Sequence, residues 1–249
     1  MDHRVKFIKP PLIETIFQIQ FPEILKISSE APVAFQELIR VDYPLFSQNV
    51  ITNTIERPGQ EAKILPSVKS YDFINSAGNT KINLTNTFVA VSTLSYSRWE
   101  DFKSVCMDTI SKFTSIYHSG VIQRVGLRYK DLIARTKWGM EDKHWKDLIK
   151  AEYLGALAEE DENLIPRYVL DYEVVNPDNS IISHNHRELV LQSSNMEKSM
   201  LIDNDYYKIG LFRSEEIEGI AESLHNEASI FFRNVFTQTL EEAMGPEEL

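Results

Sequence analysis

Apolar and polar positions alternate from Ile13 to Phe21: Ile13, Thr15, Phe17, Ile19 and Phe21 fall on one side, and Glu14, Ile16, Gln18 and Gln20 on the other. A two-residue period is that of a strand, here with one apolar and one mixed face. Pro10-Pro11 opens the run and Pro22 closes it. The pattern then changes period. Phe35, Leu38 and Ile39 predict a helix over about 30–41 with Pro32 in its first turn, ended by Asp42-Tyr43-Pro44. Residues 46–57 read as a strand, Pro58-Gly59 as a turn, and 61–68 stays ambiguous. Tyr71–Ile74 and Lys81–Thr85 predict a hairpin around Ala77-Gly78-Asn79, followed by a strand from Phe88 to Tyr96. Trp99, Phe102, Cys106, Ile110, Phe113 and Tyr117 recur at helical steps, with Ser97 as N-cap and His118-Ser119-Gly120 as the stop.

The second half repeats this order. A strand is predicted over about 121–134, carrying Arg124-Val125-Gly126-Leu127-Arg128-Tyr129-Lys130. A helix follows around Lys143–Leu157, then a solvated loop at Glu159–Glu162. Strands are predicted near 167–175, 186–193 and 198–208, with Asn176-Pro177-Asp178-Asn179 as a turn. A last helix runs from Ser214, its N-cap, to Gly245-Pro246, with Ile217, Ile220, Leu224, Phe231, Val235 and Leu240 as its buried stripe. Twice, then, the chain reads strand, helix, three or four strands, long helix. The expectation is an α+β fold made of two repeats, 1–119 and 120–249, packed as one compact domain. Their first strands would lie side by side in one curved antiparallel sheet, with helices on its convex face. The analogy is TATA-binding-protein-like or helix-grip-like, and such an analogy carries no function by itself.

Composition narrows the picture. The net charge of -11 argues against general affinity for duplex nucleic acid. Charge is segregated, however. Arg98 to Lys150 holds 11 basic against 7 acidic residues, and Arg213 to Leu249 holds 2 against 9. The acidic run reads as a solvated helix face. One cysteine, Cys106, allows no internal disulfide and no cysteine-rich zinc site. No apolar run has the ~20 residues of a membrane span. Met1 to Phe7 lacks the apolar core of a secretion signal, so a cytoplasmic location is expected.

Pro11-Leu12-Ile13-Glu14, Tyr96 with Trp99-Glu100-Asp101-Phe102, and Val125-Gly126-Leu127-Arg128-Tyr129 occur in this order. Over about Pro11 to Phe236 the chain resembles a sporadically distributed, poorly characterised prokaryotic family of about this length. The resemblance implies no established activity. It implies a mobile or defence-linked setting of toxin–antitoxin or antiviral kind. Lys130-Asp131 departs from the asparagine often found there, which bears on any polar site.

The candidate chemistry lies on one strand face. Glu14, Gln18, Gln20, Arg124, Arg128 and Lys130 share it by alternation, and Gly126 would leave a gap among them. This set is a groove for an anion, nucleotide or peptide, or else a Glu14–Arg128 pair joining the two repeats on a solvated face. His184 and His186 share a strand face but lack an evident third metal ligand. His118 suits a helix C-terminus, and Cys106 falls on a buried stripe. Asp171, Asp203 and Asp205 are acids on strand-like segments, and Tyr206 and Tyr207 split between faces. No phosphate-binding loop, nucleophile elbow, H-E-x-x-H or dinucleotide fingerprint occurs. The reading is a non-enzymatic binding module for a small anionic ligand or a partner peptide, with no cofactor and no metal. A protein-interaction or antitoxin-like component of a defence system, an unrecognised hydrolase, and a homodimer stay open.

Overall fold

The computed structural model describes residues 5–52, 54–55, 63–64, 67–177, 180–193 and 195–248. The Pro58-Gly59 turn, parts of the 46–57 and 61–68 segments, and Asp178-Asn179 lie outside the described residues.

In chain order the elements are β1 (Val5–Phe7), β2 (Leu12–Gln20), α1 (Leu25–Ser29), α2 (Val33–Ile39), β3 (Leu45–Ile51), β4 (Thr54–Ile55), β5 (Lys63–Ile64), β6 (Val68–Ile74), β7 (Thr80–Leu84), β8 (Phe88–Thr93) and α3 (Trp99–Tyr117). Then come β9 (Ile122–Ile133), α4 (Trp145–Leu148), β10 (Val169–Val175), β11 (Ile182–Leu191), β12 (Lys198–Phe212), α5 (Ile217–Val235), α6 (Gln238–Met244) and β13 (Pro246–Glu248). Nine strands form one antiparallel sheet in the order β10-β11-β12-β9-β2-β8-β7-β6-β3. β1 pairs with β13, and β4 with β5. The fold is α+β, and the two opening strands, β2 and β9, are neighbours in the sheet.

The chain packs as two compact units. The first comprises Met1–Thr15, Leu127–Lys208 and Glu222–Leu249, the second Ile16–Gly126 and Ile209–Ala221. In the second unit the period-two pattern is realised: Phe17, Ile19 and Phe21 are buried. α3 lays Trp99, Phe102, Cys106, Ile110 and Phe113 into the core. Phe113 stacks on Phe21 at 4.7 Å and meets Phe35 edge-on, and Phe35 in turn meets Phe73. Each fully buried side chain of this size stabilises the fold by roughly 1.5–3 kcal/mol, so this aromatic group dominates the unit. The N-cap of α3 is Arg98 rather than Ser97, whose hydroxyl bonds the Asp101 carboxylate instead. At its other end His118 takes the left-handed conformation, φ 44°, that glycine usually supplies.

The first unit has its own core around Trp145, Leu148, Ile149, Met200, Ile202, Val235, Phe236 and Leu240. Two predicted helices are interrupted here. The 143–157 stretch holds only α4 and two 3-10 turns, Ala151–Tyr153 and Gly155–Ala158. The final helix is broken between α5 and α6. One cause serves both. Ile149 is extended and forms a β-bridge with Phe236, and Lys150 and Thr237 donate backbone bonds to Val235 O and Leu148 O at 3.0 Å each. Backbone groups satisfied by this pairing cannot serve a helix. Ser214 lies in a 3-10 turn rather than capping α5. Glu162, placed in a solvated loop by the sequence, is mostly buried and takes a 2.6 Å bond from Arg135. Phe231, expected to be fully buried, is partly buried at the rim of this core.

Candidate functional site

Strand alternation and register assemble a polar face in the first unit. Asp171 of β10 stands opposite His186 of β11, which stands opposite Asp203 of β12. The next row is Glu173, His184 and Asp205. The two imidazoles share one carboxylate: His184 Nε2 lies 2.7 Å from Asp171 Oδ1, and His186 Nδ1 lies 2.9 Å from Oδ2. These bonds, from His186 first and then His184, hold the Asp171 carboxyl below its ordinary range. Glu188 reaches the other ring nitrogen of His186 at 3.5 Å. The Tyr207 hydroxyl donates to Glu173 at 2.8 Å.

β9 supplies the cations. Arg128 donates from Nε and Nη2 to the two oxygens of Asp203, both at 2.6 Å, a bidentate pair. The Glu14–Arg128 pair considered from the sequence is therefore not formed. Lys130 takes Glu14 instead, at 2.8 Å. The Arg128 side chain is 43% exposed, against 8% for Asp203. Alternation fixed which residues share the face but not which strand would stand next to β9, and that neighbour, β12, supplies the acid.

The remaining groove residues lie in the second unit. Gln20 Nε2 donates to Gln18 Oε1 at 2.9 Å, and Arg124 Nη1 to the same oxygen at 3.4 Å. The gap expected over Gly126 is filled by Arg124, whose guanidinium folds across it, so that a Cβ there would stand 3.1 Å from Arg124 Cζ. Gln20, Gln123 and Arg124 line an open depression of about 500 Å³ with Ile209, Gly210 and Leu211.

The opposite, inward face of the first unit holds polar groups that the sequence reading left unassigned. Asp131 is buried on β9, and its carboxyl is pushed up to about 7 by burial, against the opposing pull of Lys137. Burial pushes Lys137 down in turn. Asn204 and Tyr206 of β12 are buried, as are Asn185 and Arg187 of β11. The Tyr129 hydroxyl meets His225 Nδ1 at 2.9 Å. Alternation does carry the signal for these: Arg187 follows His186, so it points into the core if the histidines point outward. In the second unit, burial raises the Cys106 thiol well above its usual value, which suits a core residue.

Among the described residues, no group of three His, Cys, Asp or Glu is placed to hold a metal ion. No helix among them is long and apolar enough to cross a membrane. No protein-family model matches the chain, and no curated protein does.

Proposed function

We propose that this protein is a non-enzymatic binding module whose polar face in the first unit takes a partner peptide of basic character. The observation that carries the reading is the charge on that face. Glu14, Asp171, Glu173, Glu188, Asp203 and Asp205 are six carboxylates against two permanent cations, Arg128 and Lys130. Both cations are engaged by carboxylates, which weighs against a free small anion here. A lysine- or arginine-bearing segment would meet the acidic excess, and Tyr207 adds an aromatic surface for a guanidinium. The hydrolase alternative needs a carboxyl pair open to substrate, and Asp203 is buried beneath Arg128.

The proposal includes the duplicated, curved, TATA-binding-protein-like or helix-grip-like arrangement, the cytoplasmic location and the defence-linked setting. In support of the duplication, the sheet order read outward from its centre is β9, β12, β11, β10 one way and β2, β8, β7, β6 the other. Each series is the opening strand followed by the later strands in reverse order, and α3 and α5 follow β8 and β12 respectively.

The test is a fluorescence-anisotropy titration with a lysine- and arginine-rich peptide. One variant, Asp171→Asn/Glu173→Gln/Asp205→Asn, removes three of the six carboxylates from the face. Another, Glu159→Gln/Glu160→Gln/Asp161→Asn, removes the same charge from a loop. The expected result is a loss of about tenfold or more in affinity for the first variant and little change for the second. Equal losses would mean that net charge alone attracts the peptide.

A further inference from the structure

Arg187 sits on the inward face of β11, 0% exposed, and is among the largest fully buried side chains of the chain. Its guanidinium lies over three rings, with Cζ 5.6 Å from the centroid of Tyr153, 5.4 Å from Tyr172 and 5.2 Å from Phe231. Nη1 donates to the Tyr172 hydroxyl at 3.0 Å. Among the described residues, no carboxylate forms an ion pair with it, and Nε and Nη2 are buried without a hydrogen-bond acceptor. An arginine cannot shed its charge by losing a proton, so a desolvated guanidinium calls for an anion. The aromatic faces and Tyr172 account for the rest of the group, and one edge has no acceptor among the described residues. It is the Nε/Nη2 edge, the same edge with which Arg128 grips both oxygens of Asp203. Two parallel N–H groups match the oxygen pair of a carboxylate. Buried polar groups cluster on the same inward face of neighbouring strands: Tyr172 and Asn185 are paired across β10 and β11, Asn185 with Asn204 across β11 and β12. Asn204 and Tyr206 of β12 are buried on this face as well.

We propose that the Nε/Nη2 edge of Arg187 is an internal binding site for a small carboxylate, independent of any partner on the polar face. The ligand must be small, because the site is enclosed by Tyr153, Tyr172 and Phe231. It must also be admitted by local opening of β10, an edge strand that pairs with β11 at Arg187. Binding forms no covalent bond and moves no proton: the carboxylate accepts from two N–H donors that are otherwise buried without an acceptor.

Acetate is the probe, titrated to about 100 mM at constant ionic strength with chloride as control, a range that detects millimolar affinity. The arginine Nε–H resonance of Arg187 is followed by NMR in the wild-type protein, with Arg187→Lys assigning the signal and testing the geometry. The expected result is a saturable shift of that resonance with acetate and none with chloride. Arg187→Lys keeps the charge and loses the planar edge, so the acetate-dependent rise in melting temperature should vanish in it. No shift of the Arg187 resonance across the titration would overturn the proposal. An equal melting response in wild type and Arg187→Lys would overturn it too. If that variant does not fold, Tyr172→Phe, which removes the hydroxyl bonded to Arg187 Nη1, assigns the signal by its shift and keeps the wild-type measurement decisive.

Discussion

At the scale of single residues, Arg128 and Asp203 join β9 to β12 through two 2.6 Å bonds between a half-exposed guanidinium and a buried carboxylate. Alternation put Glu14, Arg128 and Lys130 on one side, and they are there. It could not say that Arg128 would meet Asp203, 75 residues away, because sheet order is set by packing across the whole chain. Arg128→Ala leaves the buried Asp203 carboxylate without its bidentate partner. Since Arg128 is itself half open to water, the expected cost is about 1–3 kcal/mol, between an exposed and a fully buried pair. Chemical denaturation measures it, and a cost near zero would mean that water replaces the guanidinium freely. Asp131 gives a pH signature. Its carboxyl has an ordinary value of 3.8 and is raised to about 7 in the folded chain. Between those values the folded state holds a proton that the unfolded state releases. Its contribution to stability is therefore full below about pH 4 and is lost as pH rises toward 7. Asp131→Asn should flatten this fall, so that the variant gains stability relative to wild type at pH 8 and gains little at pH 4. Parallel pH profiles would place the buried proton elsewhere.

Among the elements, those with a clean period were legible: β2, β9, β12 and α3 lie close to their expected places. α4, the break between α5 and α6, and the 3-10 turns were not, because the Ile149–Phe236 bridge that interrupts both helices joins residues far apart in sequence. The helical stripe still ran across the break, since Val235 and Leu240 are both buried. The stripe also overstated Phe231. Phe113→Ala, at a 0% exposed position among Phe21, Phe35 and Tyr117, should cost about 3–5 kcal/mol. Phe231→Ala should cost less, about 1–2 kcal/mol, because its ring is partly open and serves as a wall for Arg187. Urea unfolding of the two variants side by side tests the order. A larger cost at Phe231 would mean that the Arg187 cage, rather than area buried, governs that position.

For the whole molecule, the order of elements read from the sequence anticipated the α+β class and the adjacency of β2 and β9. Function was not written in any compact motif. The acidic face arises only when β10, β11, β12 and β9 are brought edge to edge, and the cage of Arg187 only when Tyr153, Tyr172 and Phe231 converge on it. On the function proposed above, the acidic face, not the net charge of -11, selects a basic partner. The most direct measurement is carbodiimide footprinting of carboxylates, with and without a saturating lysine- and arginine-rich peptide, read residue by residue by mass spectrometry. Protection is expected to concentrate at Asp171, Glu173, Glu188 and Asp205. Protection spread evenly over the surface, or centred on Glu241 and Glu242 of α6, would contradict it.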